Sequence, residues 1–239
     1  MNIKIFIKLF IIILLLNFTV SCTKEVKVND LHKSGIKGEV SSYFEKHYEP
    51  VLKAGQWKKG RIANYGNNKV IFDYDGNYIL AEYYGDQNEQ IFKIIPKRKD
   101  KLLVEELLFD NFGKLIHQTK IKELSDQKKD FTSFDAEGKV IKKGKSLLAD
   151  HILVKQKIKE VQKEGISEYL LFYEYDVNGN LQSQKKMSLE GKVLSFERYE
   201  YLDFDEKNNW IKRHDYSSED AKEPYKIVIR EFEYHQTEF

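Results

Sequence analysis

The chain has 239 residues, with 40 basic and 38 acidic side chains and a formal net charge of +2. So even a balance argues against a protein that grips the phosphate backbone of nucleic acid, which requires a basic surface, and a single cysteine excludes an intrachain disulfide framework. Charged residues at 33% against 41% hydrophobic ones are a thin supply for a thick apolar core.

Residues 1–21 read as a targeting segment. Lys4 and Lys8 precede the apolar run Leu9–Leu16, which is shorter than the ~20 residues that span a bilayer as a helix. Thr19-Val20-Ser21-Cys22 closes the segment and resembles a bacterial lipobox, which implies a lipid on the Cys22 thiol and cleavage just before it. Cleavage there removes two lysines and leaves basic and acidic side chains equal in number. Thr23-Lys24 follows in place of an aspartate, as in lipoproteins sent on to an outer membrane, so the expected location is the bacterial cell envelope, lipid-anchored. Residues 22–35 are polar and end in Ser34-Gly35, the composition of a flexible membrane tether, and 36–239 are expected to form the folded domain.

Val40–Glu49 alternates as a strand does, and Pro50 is expected to end it. Gly55–Gly60 reads as a glycine-bounded loop carrying Trp57. Val70–Phe92 reads as a hairpin pair, and Pro96–Lys101 as a charged turn region. Leu102–Phe109 fits helix or strand, and the turn at Asp110 favours strand. Ser146–Gln162 has helical spacing with Ser146 as an N-cap. Its rival is a strand that turns at Lys163-Glu164-Gly165 and pairs with Ser167–Tyr175, and the repeat context favours that rival. Lys192–Phe204 alternates along its length, and Tyr225–His235 completes the set. None of the three prolines lies inside a predicted strand.

One unit recurs along the chain: an aromatic residue, Asp, two residues, Gly or Asn, Asn or Lys, then an apolar residue. It occurs with Asp73 and Gly76, Asp110 and Gly113, Asp135 and Gly138, Asp176 and Gly179, and Asp205 and Asn208, with a degenerate copy at Leu189–Val193. The carboxylate can accept from backbone N–H groups ahead of it, and the Gly or Asn slot suits the positive φ of a three-residue hairpin turn. The copies are unevenly spaced, which argues for hairpins of unequal length and against a solenoid of identical rungs.

The tracts Phe172–Leu181 and Tyr199–Tyr216 resemble YD repeats, the tyrosine–aspartate hairpins of RHS-type proteins, and Ile36–Tyr48 is similar to the opening of small bacterial lipoproteins that carry a few of them. The resemblance covers residues 36–235. It departs from the family in its irregular spacing and in two turns that carry Phe-Asp followed by Gly-Lys. It implies antiparallel strands and a sugar-binding role, and it supplies no catalytic residues.

The fold expected from these readings is all-β: one antiparallel meander of hairpins in a strongly twisted, open or partly curled sheet. Its two terminal edges would be free to pair with another chain. No histidine spacing suits zinc, and no nucleophile elbow or phosphate loop occurs, so no enzyme activity, metal or cofactor is expected. Two readings of function stand. In one, a membrane-anchored module contacts glycan through Trp57, Tyr83, Tyr84, Tyr199, Tyr201 and Trp210, whose rings offer apolar faces and polar edges. In the other, a sheet edge or face docks another envelope protein. Neither involves nucleic acid.

Overall fold

The computed structural model describes residues 28–162 and 165–236. The leader, Cys22 and the first part of the tether lie outside the described residues, as do Lys163 and Glu164 of the turn named above. Among the described residues there are one short helix, α1 (Asp30–Lys33), and fifteen strands. These are β1 (Val40–Lys53), β2 (Gln56–Ile62), β3 (Asn67–Phe72), β4 (Tyr78–Tyr84), β5 (Gln90–Lys99), β6 (Leu102–Asp110), β7 (Leu115–Ser125) and β8 (Lys128–Asp135). They continue as β9 (Val140–Ala149), β10 (Ile152–Gln162), β11 (Gly165–Tyr175), β12 (Leu181–Ser188), β13 (Val193–Phe204), β14 (Trp210–Tyr216) and β15 (Lys226–Tyr234).

Every ladder is antiparallel, and from β3 to β15 each strand pairs with the next. The sheet does not stay open. One edge of β1 pairs with β15, from Val40↔Tyr234 to Tyr48↔Ile227, and its other edge pairs with β3 from Ser42↔Ile71 to Glu45↔Asn68. The first and last strands thus close a fourteen-stranded barrel of β1 and β3–β15, which corrects the open or curled sheet expected from the sequence. Its two terminal edges bond to each other and are lost as docking sites, the usual way a barrel removes its edges. Beyond Tyr48, β1 pairs only with β2, so the β1–β2 hairpin extends past the barrel rim.

That hairpin corrects two further expectations. Gly55–Gly60 is not a loop, since Trp57 sits on β2 opposite Leu52. Pro50 does not end β1, which runs to Lys53. Pro50 and Pro96 both lie within strands, each opposite a partner on one edge only: Pro50 faces Lys59 beyond the reach of β15, and Pro96 faces Glu106 beyond the last residue of β4 paired with β5. A missing N–H is tolerated at such positions.

Directly opposed residues share a face, so the ring has two walls. Tracing partners from Glu45 through Arg230, and through Asn68, Tyr83 and Phe92, follows the inner wall. The alternate residues form the outer wall, and they include Lys46, Lys69, Lys93, Lys120, Lys145, Lys157 and Lys185. Each lysine at mid-bilayer depth would cost a membrane barrel about 2–4 kcal/mol, and such barrels carry an apolar band instead. This outer wall faces water.

The repeated turns share one hydrogen-bond scheme. At Asp176, the Asp N–H donates to the carbonyl of Asn180, the Gly179 N–H donates to the Asp176 carbonyl, and Asp176 Oδ1 accepts from the N–H groups of Asn178 and Asn180. The backbone part of this scheme recurs at Asp73, Asp110, Asp135 and Asp205, with φ between 64° and 82° at Gly76, Gly113, Gly138 and Asn208. It recurs at Ser188–Lys192, and also at Gly85–Glu89, where Asn88 takes the positive φ. Strand direction sorts the turns: those ending in Asn77, Asn180 and Asn209 lie at one end of the barrel, and those ending in Lys114, Lys139 and Lys192 at the other. Gly113 has open space where a Cβ would stand, whereas a Cβ on Gly76 would overlap the Asn29 amide. Gly113→Ala is therefore expected to cost about 1 kcal/mol for the positive φ alone, and Gly76→Ala clearly more, as read from urea unfolding.

The asparagine end is covered. Residues 29–37, most of which read as flexible tether, are docked across that mouth. Asn29 caps α1 by accepting from the His32 N–H, and its own amide donates to the Asp75 carbonyl at 2.7 Å. Asp30 pairs with Arg98 and accepts from the Tyr78 N–H, and the Leu31 N–H donates to the Gly76 carbonyl. On the far side Asn209 clamps Lys37, accepting from its N–H at 2.7 Å and donating to its carbonyl at 2.9 Å. Leu31 and Ile36 bury themselves against Val40 and Phe72, with Tyr43, Tyr78 and Phe232 packed around them. Burial of these two apolar side chains, each contributing about 1.5–3 kcal/mol, is what a free tether would lack.

Candidate functional site: the barrel lumen

A barrel of eight strands is just filled by its own side chains, and one of sixteen or more leaves an aqueous channel. Fourteen strands fall between, and this lumen is filled on one side and hollow on the other. The filled side lies under β1 and β13–β15 and is built from charge and aromatic rings. Arg230 donates through Nε and Nη2 to Glu45 Oε2 at 3.1 and 2.6 Å, and His47 Nε2 contacts Glu45 Oε1 at 2.9 Å. Arg213 donates to both carboxylate oxygens of Asp215, which is fully buried. The guanidinium of Arg230 lies 3.7 Å from the Trp210 ring, and that of Arg213 lies 4.7 Å from Tyr199 and 4.8 Å from Trp210. Planar forks that bond carboxylates edge-on and stack on rings suit arginine and not lysine.

The network sets the ionisation of its members. Burial pushes the Glu45 carboxyl up, but Arg230, the His47 contact and Arg213 outweigh it and hold the group well below the usual carboxylate range. Burial works against the charge of Arg213, and Asp215 more than restores it. Burial raises the phenols of Tyr43 and Tyr201 to about 12, so both remain neutral.

The hollow side lies under β6–β10. A partly open cavity of about 670 Å³ runs there from Lys129 to Ile141 and Val161 near the rim opposite the docked residues 29–37. Its lining is mainly polar: Glu106, His117, Thr119, Ser133, Lys142, Ser146, Gln156 and Glu160, with Ile121 and Phe131 as apolar faces. Several of these groups are already held in place. Lys142 pairs with Glu160 at 3.1 Å, Thr119 bonds Ser133 at 2.8 Å, and Gln156 bridges Ser146 and the Tyr173 hydroxyl at 3.1 and 2.8 Å. Gly144 stands opposite Phe131, and a Cβ there would overlap the ring, so the glycine lets Phe131 lie against the wall. Burial, and then Lys142, depress the imidazole of His117.

The aromatic residues singled out from the sequence do not form one exposed platform. Tyr199, Tyr201 and Trp210 come together, but on the filled side of the lumen, where Tyr199 and Trp210 are buried. Tyr201 donates to the Leu181 carbonyl and Tyr199 to Glu197. Tyr83 is also inward, stacked on Phe92 at 4.5 Å. Tyr84 lies on the outer wall against Phe44 and Glu82, and Trp57 stands apart on the β1–β2 hairpin. Sequence reasoning missed the hollow side entirely. It also missed the lumen charge pairs, for which the chain offers one signal: only five of its basic residues are arginines, and Arg213 and Arg230 sit in strands rich in aromatics.

No protein-family model matches the chain, and no curated protein matches it. Among solved structures, it is similar to a porin-like protein from Bacteroides uniformis at 10% identity and a TM-score of 0.47, over 82% of this chain and 99% of the other. It is similar to a LolA superfamily protein from Nitrosomonas europaea at 9% identity and a TM-score of 0.29, over 85% and 89%. A Tc holotoxin pore structure from Photorhabdus luminescens aligns at 14% identity and a TM-score of 0.17, and the alignment spans 12% of that chain. Likenesses at these TM-scores fix neither family nor function.

Proposed function

We propose that the protein is a lipid-anchored, non-enzymatic binding module of the bacterial cell envelope that takes a hydroxyl-rich ligand of the glycan class into its barrel lumen. One observation carries this reading: the cavity of about 670 Å³ between β6 and β10. Hydroxyl, amide and charged groups of both signs point into it, and Phe131 supplies an apolar face. A polar lining with one ring suits a solute that donates and accepts around its whole perimeter while offering a C–H face. The leader and Cys22 supply the anchored location, and the YD-like hairpins supply the scaffold.

The test is a screen of immobilised envelope polysaccharides and oligosaccharides against the chain from residue 23 onward. Phe131→Ala and Gln156→Ala, on the lumen, are expected to weaken saturable binding at least tenfold. Trp57→Ala and Tyr84→Ala, on the hairpin and outer wall, are expected to leave it unchanged. No glycan bound, or binding lost in the outer variants instead, would remove the lumen reading.

A further inference from the structure

We propose that the outer wall of β7–β10 docks on the anionic headgroups of a phospholipid bilayer. Lys122, Lys128, Lys143, Lys145, Lys157 and Lys159 are all exposed on this wall. The register sets like charges face to face: Lys145 opposes Lys157, and Lys143 opposes Lys159. Like charges directly opposed weaken a sheet, so this arrangement is explained by something outside the sheet that neutralises it. Two acids stand among the six lysines. Asp130 opposes Lys122 and Lys145, and Glu168 lies 3.0 Å from Lys159 and 3.9 Å from Lys157. The protein is close to neutral overall, so this is segregation of charge and not a general basicity.

The position of the wall selects the occupant. Val28 shares a rim groove with Lys101, Leu102, Leu124, Asp126 and His151, at the covered ends of β5–β10. Five residues then separate Val28 from Cys22, a reach of at most about 22 Å. Leu102, Leu124 and Leu147 stand exposed beside the same rim, at 52%, 48% and 39%. Exposed leucines next to a lysine field are the composition of a surface that sits at a lipid interface. The nearness of the membrane rests on the lipid-anchor reading, whereas the charge and the exposed leucines stand without it.

The test is co-sedimentation of the unlipidated chain from residue 23 onward, which keeps every described residue. The vesicles are phosphatidylcholine alone and phosphatidylcholine mixed with phosphatidylglycerol, both at low salt. Binding to the mixed vesicles only is expected, with release at high salt. Lys145→Gln with Lys157→Gln is expected to lower the partition coefficient about fivefold for each lysine, from ~1 kcal/mol apiece near an anionic surface. The same variant should unfold at a denaturant concentration equal to or above that of the parent, since it removes a repulsive pair. Lys46→Gln with Lys93→Gln, on another part of the outer wall, should leave the partition unchanged. Equal binding to neutral vesicles, or an equal loss in that second variant, would overturn the proposal. So would retention on heparin or DNA without vesicle binding, which would assign the wall to another polyanion. Glycan binding measured in parallel keeps the two readings apart, because outward lysines cannot touch the lumen.

Discussion

Replacing Arg230 with alanine is expected to cost about 3–5 kcal/mol of folding stability, the usual penalty for removing one partner of a buried ion pair. Against the 5–15 kcal/mol of a typical domain, that is a large share from one side chain on the last strand. The reason is the company Glu45 would be left in. Arg230 makes its two charged hydrogen bonds to Glu45 while its guanidinium covers Trp210 and lies 4.5 Å from Tyr43. Without it the carboxylate keeps only the His47 contact and the more distant Arg213. Replacing Glu45 and Arg230 together with methionines should cost far less than Arg230→Ala alone, because no charge is then stranded. The same network shapes the acid limb of stability. A carboxyl held below its unfolded pKa of about 4.3 binds its proton more readily in the unfolded chain. Its stabilising contribution is therefore full above that value and is lost as pH falls through the folded pKa. Urea midpoints taken from pH 7 down to pH 3 should drop steeply at the acid end for the parent and less steeply for the double methionine variant. A penalty under 1 kcal/mol for Arg230→Ala would mean that water already reaches this side of the lumen.

What the sequence carries well is local. The Asp-x-x-Gly units specify the turns, since a short carboxylate and a positive-φ position act within five residues. Even the barrel end is written there, in Asn77, Asn180 and Asn209 against Lys114, Lys139 and Lys192. The asparagine amide has a use at the covered end, as Asn209 shows with Lys37, and lysine suits an open rim. Closure was illegible because it is a pairing of Val40–Tyr48 with Ile227–Tyr234, on the first and last strands of the described residues, and no local pattern marks it. The composition actively misled. Few aliphatic residues and many charges read as an open sheet too poor in apolar side chains for a thick core, whereas the inner face here is satisfied by Glu45–Arg230, Arg213–Asp215 and stacked rings. Tyr199, Tyr201 and Trp210 read as a platform for the same reason: a ring that faces a polar lumen and a ring that faces solvent sit in the same alternating strand. Residues 29–37 read as tether because their capping and clamping partners lie 46 to 172 residues away.

A cysteine pair across the seam, Lys46→Cys with Ile229→Cys, is expected to form a disulfide within one molecule and to raise stability by about 2–5 kcal/mol. The two residues are directly opposed in the β1–β15 ladder and belong to the outer wall. Opposed Cα atoms in an antiparallel pair lie about 4.5–5.5 Å apart, within the span a disulfide accepts. In a chain begun at residue 23 they are the only thiols, so oxidation has one intramolecular product. An open meander would hold β1 and β15 at opposite edges, and the same variant would then give free thiols or disulfide-linked dimers. Non-reducing gel mobility and mass spectrometry separate these outcomes, and reduction should return the unfolding midpoint to that of the unbridged chain. The bridge also bears on how a ligand enters. If the lumen fills through the rim near Ile141 and Val161, glycan binding should survive the lock with its on-rate unchanged. If binding is lost on oxidation and regained on reduction, the ligand passes through the seam, and the β1–β15 ladder is a gate instead of a wall.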